Sequence, residues 1–364
     1  MLHAAFFYFC NMVDYLVVGL GLAGISFCEV LEERNTSFKV ISDDSQTSSN
    51  VAGGLYNPVI LKRFTLAWDA KAQLDQAIPF YNRLEQKLET QLDYKLPVLR
   101  RFASIEEQNM WFEAADKPQL SHFLSTKILP NKNGAIDAPF GYGEVLHTGR
   151  VATKKLLQEY KNYLVKKDLI LQETFLFDQL VFGIDQVSYK GLTAKNVVFA
   201  TGYGQSSNPF FNYLPLNGTK GELLTIKAPE LKEDRVIKSS VFIIPLGNDL
   251  YRVGATYKWK DKTNIPTAEA KSELLEKLNT FLKCDYEVVD HVAGIRPTVA
   301  DRRPLVGRHP EKENVYVLNG FGSRGVMTAP KTALDLYNYA EKGVPLSKEI
   351  DIDRFTKKYY LINS

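Results

Sequence analysis

Cysteine, histidine, tryptophan and methionine are all scarce in this chain, and no apolar run reaches the roughly 20 residues a membrane-spanning helix needs. The three cysteines, Cys10, Cys28 and Cys284, are odd in number, widely spaced and free of any Cys-x-x-Cys pair. That pattern excludes a disulfide framework and a zinc ribbon, and it fits a protein of the reducing cytoplasm. The five histidines, at 3, 122, 147, 291 and 309, make no triad spacing with a nucleophile, so each reads as structural or surface, and no metal is expected. Charge of one sign is also lacking. Lys and Arg number 45 against 42 Asp and Glu, a balance of +3 that by itself argues for neither nucleic acid nor an anionic membrane as partner. The apolar stretch Ala4 to Cys10 is too short for a span and lacks the basic leader and cleavage site of a signal peptide. Met12, directly before the first strand, reads as the natural start, with residues 1–11 an upstream extension.

What is present is globular: 364 residues, 45% hydrophobic and 24% charged, enough for one large or two joined domains. Asp14 to Val18 reads as a strand, Ile25 to Leu31 as a helix and Phe38 to Ile41 as a second strand, which together make a βαβ unit. Leu66 to Leu92 has apolar residues every three to four positions and predicts a long amphipathic helix. A helix near Thr153 to Val165 precedes strands at Leu169 to Gln172, Gln186 to Tyr189 and Asn196 to Ala200. Alternation from Glu222 to Lys258 predicts antiparallel hairpins, followed by a helix near Ala268 to Leu282. The chain closes with a strand at Val315 to Leu318, a glycine-rich turn at Gly320 to Gly325 and a helix from Pro330 to Glu341.

Between the first strand and helix stands Gly19-Leu20-Gly21-Leu22-Ala23-Gly24. Gly19 permits the tight turn, Gly21 lets backbone approach a pyrophosphate, and Gly24 lets helix pack on strand. The unpaired N–H groups and dipole of the helix N-terminus then attract phosphate. A tight turn of purely structural purpose is the alternative. Asp43, 24 residues beyond Gly19 at the end of the second strand, is the candidate for the ribose hydroxyls, with Asp44 in reserve and a solvated Asp pair as the plain reading.

Gly19 to Gly24, the segment Val197 to Gly202 (VVFATG), Ala293 to Gly307 (AGIRPTVADRRPLVG) and Val315 to Pro330 (VYVLNGFGSRGVMTAP) together resemble the D-amino-acid oxidase and glycine oxidase family of FAD-dependent oxidoreductases. Ser49 to Pro58, Gly221 to Leu224 and Gly320 to Pro330 look most like the FAD domain of the bifunctional enzyme that finishes the methylaminomethyl group of tRNA wobble uridine. The resemblance runs from Met12 to Glu341 and implies an α/β fold. A Rossmann-like FAD-binding domain (12–75, 144–215 and 290–364) would carry an inserted α+β substrate domain with an antiparallel sheet (76–143 and 216–289).

It also implies FAD, held without a covalent bond because no cysteine or histidine stands at an attachment position. The cofactor-binding set is then Gly19, Gly21, Leu22, Ala23, Gly24, Asp43, Ala52, Gly53, Gly54, Thr201, Gly202, Gly320, Gly322, Ser323, Arg324, Gly325 and Val326. The Gly320 to Gly325 turn could present N–H groups to the anionic side of a reduced flavin, or simply reverse the chain.

The implied reaction is oxidation of a carbon–nitrogen bond in an amino acid or secondary amine by hydride transfer to flavin N5, with oxygen or another acceptor taking the electrons. Arg296 matches the family arginine that grips the substrate carboxylate, unless it pairs with Asp301. Arg324 would stand at the flavin edge or at the surface; Arg252 occupies the place where some relatives put an oxygen-activating lysine; Tyr257 would line the pocket or merely pack. Phe242 replaces a tyrosine of the glycine oxidases and cannot donate to a carboxylate, which counts against glycine itself. Two other readings stand beside this one: a stand-alone flavoenzyme acting on a modified tRNA uridine, with tRNA the less favoured partner, and a flavin-binding protein without turnover.

Overall fold

A computed structural model describes residues 12–43 and 45–356. The expectations placed on residues 1–11, among them Cys10 and His3, and on Asp44 lie outside the described residues.

The expected βαβ unit is Val13–Val18, Leu22–Glu33 and Phe38–Ile41, its two strands parallel and in register from Tyr15 opposite Phe38 to Val18 opposite Ile41. Leu192–Phe199 pairs with the other edge of Val13–Val18, and Val315–Asn319 extends the parallel run beyond it. Ile170–Leu171 closes the far side, and Val187–Tyr189 and Leu180–Phe182 turn back as an antiparallel branch. Tyr15 and Val17 point into one core cluster while Leu16 and Val18 point into another, so the sheet is buried on both faces, as continuous apolar strands require.

The second sheet also has eight strands, in the order 287–296, 219–227, 250–254, 242–247, 236–238, 98–101, 142–145, 124–129. Strand period sorts its residues by face. Leu224, Ile226, Ile243, Tyr251 and Val253 pack with Leu274 and Leu278 of the helix Ala268–Asn279. Gly221, Leu223, Phe242 and Gly254 look the other way, into a cavity shared with the first sheet.

Two helices differ from expectation. The long one is Ala70–Leu88, bounded by Asp69 and Glu89, both with left-handed backbone at φ 49°, so the apolar periodicity outruns the helix at each end. The last is Gly325–Lys342 and begins five residues before Pro330. Pro330 has no N–H for the Val326 carbonyl one turn back, and the Tyr81 hydroxyl donates to that carbonyl instead at 2.9 Å. Between 93 and 151 the sequence pattern predicts nothing regular, yet five short strands and the helix Ile105–Ala115 form there, most of them the outer half of the second sheet. Among the described residues no helix is long and apolar enough to cross a membrane, and no cluster of three or more metal-ligating side chains occurs.

Candidate active site

The parallel strands all end at one place. Val18, Ile41, Ala200 and Asn319 line the same cavity of about 1010 Å³, at the carboxyl edge where open α/β sheets bind ligands. The turn after the first strand is as tight as its glycines imply. Gly19 has φ 101°, and a Cβ on Gly24 would stand 2.0 Å from the Gly19 carbonyl oxygen. Gly24 is thus a packing residue, while Gly21, Leu22 and Ala23 reach the cavity. The helix Leu22–Glu33 has no acid in its first turn, and although the Leu22 N–H donates to the Ser49 hydroxyl at 3.4 Å, the N–H groups of Ala23 and Gly24 remain for an anionic group.

Asp43 lines the cavity at the end of the second strand, where its carboxylate accepts hydrogen bonds from Ser45 and Thr174. Burial works against the charge, but those bonds outweigh it and hold the carboxyl below its usual range. The small residues Ala52, Gly53 and Gly54 form a backbone wall of the same cavity, as do Thr201 and Gly202. The Thr201 hydroxyl is buried and has no protein partner, a polar atom left for a ligand. Asn319 donates to the Gly202 carbonyl and to Gln205, tying the two central strand ends together. Gly322, Ser323, Gly325 and Val326 line the cavity, whereas Gly320 packs against Val299 and Leu305. These residues fit a dinucleotide with a planar ring: free N–H groups, a carboxylate for hydroxyls, and flat backbone where side chains would intrude. Neither cysteine nor histidine is among the described residues that line it.

The other end of the cavity is built by the second sheet. Arg296, the last residue of Glu287–Arg296, folds its side chain back over Gly221, where a Cβ would come within 2.0 Å of the guanidinium. Its Nη1 donates to the Thr256 carbonyl at 3.2 Å and its guanidinium carbon lies 4.2 Å from the Tyr257 ring centroid. Asp301 is taken by Arg354, so it is no partner for Arg296. No ion pair to Arg296 forms among the described residues, and burial lowers its pKa. Tyr257 lines the cavity.

Arg324 and Arg252 do not line the cavity. Arg324 precedes the helix Gly325–Lys342, partly buried, with its pKa lowered by burial. Arg252 lies 3.7 Å from Asp290 with a buried Nη1 that finds no hydrogen bond.

Among the cavity cations that escaped the sequence reading, one stands beside the Phe242 ring. Lys238, at the end of Val236–Lys238, lines the cavity beside Phe242, whose ring centroid is 4.7 Å from its Nζ. Burial, with Arg100 and Arg296 nearby, brings its ammonium down to about 8. The only sequence signal is a lysine at an inward position of an alternating strand.

A parallel sheet whose strand ends and glycine turn face a cavity roofed by a largely antiparallel sheet defines a dinucleotide-binding protein. The sequence matches the FAD dependent oxidoreductase family over residues 14–337, and the chain belongs to that family. It is 22% identical to the glycine oxidase of Pseudomonas aeruginosa across 86% of this chain and 91% of that enzyme. The glycine oxidase of Bacillus subtilis is 30% identical over 146 residues, 38% of this chain and 39% of that protein. The tRNA 5-methylaminomethyl-2-thiouridine biosynthesis bifunctional protein of Idiomarina loihiensis is 24% identical over 87% of this chain, which spans only 54% of that longer protein. Among solved structures, glycine oxidase from Geobacillus kaustophilus superposes with a TM-score of 0.75 at 18% identity, over 94% of this chain and 98% of that one, a likeness of fold. The expected family, fold class and FAD cofactor are therefore borne out.

Proposed function

We propose that this protein oxidises the carbon–nitrogen bond of an amino acid or secondary amine bearing a carboxylate, with oxygen as the final acceptor. The observation that carries the reading is Arg296: a cation inside the cavity, held by Thr256 and Tyr257, with no acidic partner among the described residues. An unpaired guanidinium in such a place is stabilised by an incoming carboxylate, which it can grip with two hydrogen bonds. FAD, when bound, supplies the hydride acceptor. Phe242 and Gly254 give the substrate an apolar floor that excludes water, and Tyr257 fixes the plane of the guanidinium. No carboxylate or imidazole is needed at that end, because the reaction draws on alignment rather than on a dedicated acid or base. The division into FAD-binding segments (12–75, 144–215, 290–364) and substrate segments (76–143, 216–289) belongs to the same proposal, with the strand Glu287–Arg296 crossing its last boundary.

The test is an absorbance spectrum of the purified protein followed by anaerobic addition of glycine, N-methylglycine, proline and D-amino acids. Flavin bands that bleach with a carboxylate-bearing amine, and hydrogen peroxide released on readmitting air, are expected. A protein that stays colourless after reconstitution with FAD would overturn the reading, and a yellow protein that no amine bleaches would make it a flavin binder without turnover.

A second reading has one observation in its favour. Among the described residues Lys62, Lys154, Lys161, Lys238 and Lys277 line the cavity against Asp43 and Glu173, a basic bias suited to a polyanion such as a modified tRNA. Binding of tRNA that weakens steeply with added salt would support it; indifference to tRNA at low salt would remove it.

A further inference from the structure

Lys238 and Arg296 stand on the same face of the second sheet, on opposite sides of its centre. Lys238 is registered against Phe242, Phe242 against Gly254, and Gly254 against Leu223. Two residues back from Leu223, Gly221 lies beneath the Arg296 guanidinium. Three strand spacings, about 14 Å, separate the Lys238 backbone from the strand that carries Gly221, over which the Arg296 guanidinium folds back from the next strand into the shared cavity. Between them lie the Phe242 ring, the bare Gly254 and the apolar Leu223.

The charged groups around Lys238 give it no counter-ion. Arg100, on the neighbouring strand, is itself a cation and is held by Glu107 at 2.5 Å. Lys277, on the helix Ala268–Asn279, is taken by Glu273 at 2.6 Å. Tyr257 lies on the Arg296 side. Among the described residues no ion pair to Lys238 forms, and two unpaired cations in one enclosure are costly unless an anion arrives for each. The FAD diphosphate is not that anion, since the free N–H groups that suit it are at the Gly19 to Gly24 turn.

We propose that the substrate carries two anionic groups: Arg296 binds the carboxylate beside the reacting carbon, and Lys238 binds a second carboxylate several bonds away across the Phe242 and Gly254 floor. This rests on the carboxylate-bearing amine proposed above and names its class, an N-carboxyalkyl amino acid or an amino dicarboxylate. The lysine confers the preference for two charges over one, and its low pKa means that this preference fades as pH rises through about 8.

The experiment is titration calorimetry on the FAD-loaded protein with glutarate and butyrate, five- and four-carbon acids respectively, without an amine, that differ chiefly in the second carboxylate. Glutarate is expected to bind at least tenfold more tightly at pH 7. Lys238→Met should abolish that margin while leaving butyrate binding and the flavin spectrum unchanged, and Lys238→Arg should keep most of it. Equal binding of the two acids by the native protein, or a margin that survives in Lys238→Met, would overturn the proposal. So would displacement of glutarate by an RNA stem-loop that depends on Lys238, which would assign the lysine to phosphate. A glutarate margin in a protein that no amine bleaches would retain the dianion site and reject the amine oxidation, so the two ideas fail separately.

Discussion

The guanidinium carbon of Arg296 sits 4.2 Å from the centroid of the Tyr257 ring, and the same side chain hydrogen-bonds the carbonyl of the neighbouring Thr256. An arginine stacked on an aromatic face and anchored at one nitrogen has its remaining donors fixed in direction. Lysine could restore the charge but neither the fork nor the stack. Arg296→Lys should therefore raise KM for a carboxylate-bearing amine on the order of 10- to 100-fold, the equivalent of one or two lost charge-assisted hydrogen bonds, while FAD content stays native. Steady-state kinetics beside a flavin spectrum checks it, and an unchanged KM would remove Arg296 from substrate binding.

Two glycines of the first turn should fail differently. A Cβ at Gly24 meets the Gly19 carbonyl oxygen at 2.0 Å, so Gly24→Ala must push helix from strand and should lower both the melting temperature and the flavin content. A Cβ at Gly21 meets nothing nearer than the Ser49 hydroxyl at 3.3 Å, so Gly21→Ala should fold normally yet purify without flavin, because the methyl group occupies the approach of the pyrophosphate. Circular dichroism and the absorbance ratio of flavin to protein separate the two.

Lys220 is fully buried, and its Nζ donates to Asp261 at 2.5 Å and to Thr263 at 3.3 Å, pinning the segment that follows Tyr257 to the sheet. It also lies 3.5 Å from the buried Glu222. Removing this cation leaves a buried carboxylate with less compensation. Lys220→Met should cost about 3–5 kcal/mol of unfolding free energy in a urea titration. A loss below 1 kcal/mol would mean that the ion pair adds no more than an exposed one.

Acid should weaken the joint between the first helix and the helix Thr153–Lys166. Burial opposes the Glu32 charge, but hydrogen bonds from Lys167, Tyr163 and Lys87 outweigh it and bring the carboxyl down to about 2. A depressed carboxyl contributes stability above its unfolded value, near 4.5, and that contribution disappears as pH falls toward 2. Neighbouring Glu29 is shifted upward by burial and works in the opposite sense. Glu32→Gln should therefore flatten the loss of stability between about pH 5 and pH 2, measured as melting temperature against pH. An unaltered slope would show that the acid sensitivity lies elsewhere.

The first strand, the glycine turn and the second strand were legible in the chain because each is local: apolar runs, a spacing of glycines and a helix start all lie within 30 residues. The same holds for Val315–Asn319, and family motifs supplied the cofactor. The outer half of the second sheet was not legible. Its strands 98–101, 124–129 and 142–145 are short, and Val236–Lys238 joins them to the rest only through a parallel pairing with 98–101 across more than a hundred residues.

Arg296 could be named from its motif, but that its guanidinium would lie over Gly221 against Tyr257, free of Asp301, depends on two strands and a loop meeting in space. Lys238 shows the division most plainly. Its alternating strand determines by period alone that it shares a face with Val236, whereas its position in the cavity with Arg296, and the burial that lowers its pKa, arise only when five strands are laid side by side and covered by the first sheet's loops. Sequence acts over a few residues and so determines period, turns and caps; charge and solvation depend on everything within several ångströms, which only the folded chain decides.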